Sequence, residues 1–199
     1  MSKSDPAALK RERRKAARWV VTIFLVTILI SGTISLLSDV IMSASTMFVA
    51  FLILLAIILV GIIFDIIGMA VATADEKPFH SMAARKVPGA QEAIALLRNA
   101  ERVSSICNDV VGDICGVVSG SASATIAAQI LSNFDMSWPQ IVSLTMSALA
   151  AGLTVGGKAI GKSFAVNSCT DIVHTVGRLV HSLKHFPDLF RKKPKAKKK

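Results

Sequence analysis

Long apolar runs broken by short polar stretches set the frame of this chain. They cover Trp19 to about Leu37, Phe48 to about Ala72, Arg102 to Leu131, and Ile141 to about Val166. Each can cross a bilayer, which takes about 20 residues as a helix. Two shorter stretches show helical spacing without that length. Around Gln91–Asn99, Ala90, Ile94 and Leu97 fall on one side and Glu92, Arg98 and Glu101 elsewhere. Over Asp171–Phe186, Ile172, Val176, Leu179, Val180, Leu183 and Phe186 recur together, while His174, Arg178, His181 and Lys184 line the other side. Such narrow apolar faces lie on a membrane surface or dock under a bundle. The pattern predicts an all-α membrane protein with four transmembrane helices, a juxtamembrane amphipathic helix and a C-terminal basic amphipathic helix.

The third run differs from the others. It is low in charge but not greasy. Asp109 and Asp113 are four residues apart and share a face on an α-helix. Gly112, Gly116 and Gly120 repeat at the same spacing, which lets helices approach closely in lipid. This run is read as the inner helix of the bundle. Ser38–Thr46 and Ser132–Pro139 are read as outer connections, with Trp138 at the interface.

Composition and charge sharpen the topology. Hydrophobic residues make up 52% of the 199 positions, and the mean hydropathy is +0.57, unlike a soluble domain. The net charge is +10, with the bases crowded into residues 1–18, Lys77–Arg102 and the tail from Arg178. Bases flanking spans nearly free of Lys and Arg follow the positive-inside rule and put both termini in the cytoplasm. They imply attraction to anionic lipid of the inner leaflet and argue against a nucleic-acid partner. The default membrane is the bacterial cytoplasmic (inner) one. The first apolar run is too long for a signal-peptide core and is read as a retained helix. The expected divisions are a basic arm (1–18), a first helix and outer loop (19–47), a core membrane domain (48–166), an amphipathic helix (167–190) and a disordered polybasic tail (191–199). Cys107, Cys115 and Cys169 lack metal-ligand spacing and read as thiols.

Charges inside the spans carry the chemistry. With membrane boundaries near residues 72, 103 and 165, Asp65, Asp109 and Lys158 lie about 10 Å deep and Asp113 about 15 Å. Isolated charges in lipid are costly, so these groups are expected to pair. Three acids and one base leave excess negative charge, which suits a hydrated divalent cation such as magnesium. Ser104, Ser105, Asn108 and Ser119 offer neutral oxygens. The metal set is therefore Asp65, Asp109, Asp113, Asn108 and Ser105, with Lys158 as counter-ion. Alternatively, Lys158 fills the place of the cation and the network is structural. Proton coupling through the acids is a third reading. Gly156–Ser163, GGKAIGKS, matches the phosphate-binding GxxxxGK[ST] pattern, but it follows an apolar helix rather than a strand, so nucleotide binding is not expected. No nucleophilic constellation is present, and no enzyme is expected.

Three stretches carry a family resemblance. They are GIIFDIIGMAVATADE (Gly61–Glu76), ALLRNAERVSSICNDVVGDI (Ala95–Ile114) and GKAIGK (Gly157–Lys162). Together, residues from about Phe48 to Val166 resemble the transmembrane domain of the CNNM/CorB/CorC family of magnesium and cobalt transport and efflux proteins. The resemblance implies an inward-facing ion site, a homodimer and a divalent cation as cargo. In the family a serine, two asparagines and a glutamate surround that site. Here Asp65 stands for the serine, Gly68 for the glutamate of the first motif, and Asp109 and Asp113 for the asparagines. Lys158 replaces the glutamate of the last motif and Gly161 its proline. The family's cytoplasmic CBS domains are not expected in this chain. Two functions follow: binding or transport of divalent cations through an acid-lined inward-facing cavity, or a non-transporting scaffold or accessory subunit with a structural Asp–Lys network.

Overall fold

The computed structural model describes residues 6–134 and 138–190. Among these residues every regular element is helical. In order they are α1 (Pro6–Ser43), α2 (Met47–Thr73), α3 (Lys77–Ala84), α4 (Ala90–Arg98), α5 (Ala100–Ser105), a π-helical segment (Ile106–Gly112), α6 (Asp113–Asn133), α7 (Pro139–Asn167) and α8 (Cys169–Phe190). Ala17–Ser43, Met47–Thr73, Ala100–Asn133 and Pro139–Asn167 are long and apolar enough to cross a membrane. The first five residues of the arm, part of the outer loop (135–137) and the polybasic tail (191–199) lie outside the described residues.

The chain forms two compact units. The first comprises residues up to Gly61 together with Val110–Val155. Here α1 packs along α6. Met42, Ala122 and Ile126 are buried, and Gln129 donates through Nε2 to the Met42 carbonyl at 2.7 Å. The lipid-facing side is clear from exposure: Leu29 and Leu36 are each 69% exposed, which water would not tolerate along a whole helix. α1 continues to Ser43, beyond the end expected near Leu37. Ser38 and Asp39 therefore sit inside a helix rather than in an outer connection. Local polar residues do not stop a helix whose backbone bonds must be met internally in lipid.

The second unit comprises Ile62–Asp109 and residues from Gly156 onward. Its core joins Ala70 and Val71 of α2, Phe79 of α3, Ala93 and Leu97 of α4, Ala165 of α7 and Val173 of α8. Phe79 is fully buried, a burial that stabilises by roughly 2–3 kcal/mol. Pro78 sits in the first turn of α3, where its missing N–H costs nothing. Lys86 (φ 56°) and Gly89 (φ 85°) turn the chain tightly from α3 into α4. α4 then packs on α8.

That contact uses a face the hydrophobic spacing did not single out. A Cβ on Gly177 would overlap the Gly89 carbonyl and press on Ala93. The helices meet nearly backbone to backbone, with Val173 buried beside them. The expected apolar stripe of α8 is divided: Ile172 packs on this core, whereas Leu179 is 60% and Leu183 73% exposed. Small residues, rather than large apolar ones, choose the docking face of this helix.

Candidate functional site

Lys158 and Asp65 meet because two glycines permit it. Gly157 and Gly161 are four residues apart on α7, and Ile62 and Ile66 are four apart on α2. A Cβ on Gly157 would overlap the Ile62 side chain, and one on Gly161 would come within 2.7 Å of Ile66. Isoleucine ridges thus fill glycine grooves, and the Lys158 Nζ reaches Asp65 Oδ1 at 3.6 Å. The Asp65 side chain is only 7% exposed, and the Lys158 side chain 20%. The other carboxylate oxygen, Asp65 Oδ2, is buried with no hydrogen-bond partner among the described residues. The run Gly156–Ser163, which mimics a phosphate loop, lies wholly within α7.

One turn along α2, Gly68 makes room for Asn108, whose amide would collide with any Cβ there. Asn108 belongs to the π-helical segment and donates through Nδ2 to Ser104 Oγ at 3.3 Å. Its Oδ1 is a second buried acceptor with no donor. A π-helical turn bonds i to i+5 and is rare outside functional or strained places. It also breaks the i, i+4 register on which the shared face of Asp109 and Asp113 depends.

Beside Asn108 opens a cleft of about 560 Å³, lined by Ala72, Ala100, Glu101, Ser104, Ser105 and Asp109. Its polar lining is two carboxylates and two hydroxyls, and none of these residues is a base. It lies where α2 ends and the third span begins. Asp113 is the exposed first residue of α6 and belongs to the other unit. Ser119 is buried and donates to the Gly116 carbonyl at 3.0 Å. Among the described residues no three His, Cys, Asp or Glu side chains gather as a metal cluster. A cation in the cleft would draw on mixed acid, hydroxyl and water oxygens, as magnesium commonly does.

Two acids escaped the sequence reading. Glu101 faces the cleft, and its spacing of eight residues from Asp109, with Ser105 midway, was a usable signal. Asp39 lies in the first unit and accepts from Ser121 Oγ at 3.1 Å and Thr125 Oγ1 at 3.2 Å. The repeat Ser121, Thr125, Gln129 along α6 marks a polar seam that requires a partner on another helix.

Outside the spans, His181 and Glu92 join α8 to α4 through Nδ1 and Oε1 at 3.1 Å. Burial opposes ionisation of Glu92, but the His181 hydrogen bond, a backbone hydrogen bond and the positive charge of His181 and Lys184 outweigh it. The carboxyl is held below its ordinary value of 4.5. Cys107, Cys115 and Cys169 are all thiols.

Four helices of spanning length and apolar composition define a multi-pass α-helical membrane protein. No family model, no curated protein and no solved structure matches the chain.

Proposed function

We propose that this membrane protein binds divalent cations, magnesium foremost, in the cleft formed by Glu101, Ser104, Ser105 and Asp109, as a step in ion transport. The observation that carries this reading is the lining itself: two carboxylates and two hydroxyls with no base, at the end of two spans. A carboxylate at membrane depth, as Asp109 is on this reading, is expensive, and a cargo cation offsets its cost. The donor-less buried oxygens of Asp65 and Asn108 add acceptors that a cation or its water would satisfy. On this reading the cleft faces the cytoplasm, both termini are cytoplasmic, and the membrane is a bacterial inner membrane. The protein is a homodimeric relative of CNNM/CorB transmembrane domains.

A second reading has its own support. The Lys158 ammonium already neutralises Asp65 at 3.6 Å, as a non-transporting scaffold would require. Magnesium titration by isothermal calorimetry of wild type, Asp109→Asn and Lys158→Met separates the two. Cation binding predicts saturable heat in the wild type and at least about tenfold weaker affinity in Asp109→Asn, or 1.4 kcal/mol. Absence of binding in the wild type, or equal affinity in Asp109→Asn, refutes the cleft as a cation site. Binding gained only in Lys158→Met assigns the protein to the scaffold class, with the lysine in place of the metal.

A further inference from the structure

A second, apolar opening lies within the same unit and is independent of the cation reading. It has a volume of about 470 Å³, within the usual range for small-molecule sites. One wall is membrane-spanning: Ile63 and Ile66 of α2 and Phe164 of α7. The opposite wall is Ile172, Val176 and Leu179 of α8, a helix outside the spanning set. At the polar margin stand Ser168, Asp171 and Thr175.

We infer that this groove holds an acyl chain of a membrane phospholipid, with an ammonium-bearing headgroup at Asp171. Two observations select this occupant. First, the α2 and α7 residues of the groove belong to helices long and apolar enough to span, so hydrocarbon reaches it directly. Second, the carboxylate at the margin repels phosphate and attracts ammonium. Asp171 is exposed, and no described residue forms an ion pair with it. Thr175 Oγ1 is turned to the Asp171 backbone carbonyl at 2.8 Å, which leaves the carboxylate to the headgroup. The occupant also covers Leu179, which is exposed in the chain alone.

The test is native mass spectrometry of the delipidated protein with chain-matched phosphatidylethanolamine and phosphatidylglycerol. The wild type should retain one phosphatidylethanolamine at least fivefold better than phosphatidylglycerol. Thr175→Trp, at an exposed position on the groove wall, should cut retention of both lipids about tenfold. Leu179→Trp carries the same test should Thr175→Trp fail to fold. Asp171→Asn should keep the chain but abolish the headgroup preference. Undiminished retention in the tryptophan variants overturns the groove. Equal retention of the two headgroups by wild type overturns the role of Asp171. A dimer that dissociates on Thr175→Trp, with lipid unchanged, would assign the groove to a second copy instead.

Discussion

Asp39 and Asp65 are both acids within membrane spans, and their surroundings answer them differently. Asp39, in the first unit, accepts hydrogen bonds from the hydroxyls of Ser121 and Thr125. Asp65, in the second, has the Lys158 ammonium on one oxygen and no partner on the other. Neutral donors spread their support over several side chains, so losing one leaves the rest. A single counter-ion concentrates the support, so losing it leaves a bare charge in a low-dielectric interior. The first arrangement holds two helices together. The second rests the acid on one ammonium.

The largest expected effect is at Lys158. On the scaffold reading Lys158→Met lowers stability by up to about 3–5 kcal/mol, the cost of leaving half of a buried pair, whereas on the cation reading the fold stays intact and cation binding strengthens. Adding Asp65→Asn should recover most of that loss. Denaturant unfolding in micelles reads both, and an undiminished Lys158→Met would mean that the pair does not hold α2 against α7. A smaller effect belongs to the hydroxyl seam. Thr125→Ala should cost about 0.5–1.5 kcal/mol, because Ser121 still donates to Asp39. A loss as large as that of Lys158→Met would break the distinction between shared and concentrated support.

The smallest effect concerns the third carboxylate, Glu92, at the α4–α8 contact. Its folded value lies below 4.5, so its contribution is present above that pH and is lost as pH falls through the lower folded value. The pair is partly exposed, so the contribution is of order 0.5 kcal/mol. The protection of α8 amides, taken relative to their intrinsic exchange rates, should fall on acidification below 4.5 in the wild type, and Glu92→Gln should flatten that dependence. An unchanged dependence in the variant would remove the pair as a clasp.

What the sequence disclosed and what it hid follow one rule. The four spans were legible because twenty or so apolar residues admit few other readings. Asp39 was hidden because a short polar stretch resembles a loop until the hydroxyls of a distant helix are seen to face it. The π-helical segment was hidden because periodicity arguments assume an unbroken 3.6-residue turn. Glu101 was set apart from the site because its helix was read as a surface element. The α4–α8 contact was missed because its anchors, Gly89, Ala93 and Gly177, carry little hydrophobic signal. Side chains that matter by being absent leave no mark on a hydropathy pattern.

The unbroken course of α1 has a mechanical meaning. The helix spans 38 residues, about 57 Å, while its apolar part begins only at Ala17. Roughly 16 Å of it projects beyond the bilayer as a stiff continuation of the same rod. No hinge interrupts the helix between that projection and Asp39, some 33 residues along it, where Ser121 and Thr125 of α6 hold the carboxylate. A torque on the projection would reach that contact as rotation rather than be lost in bending.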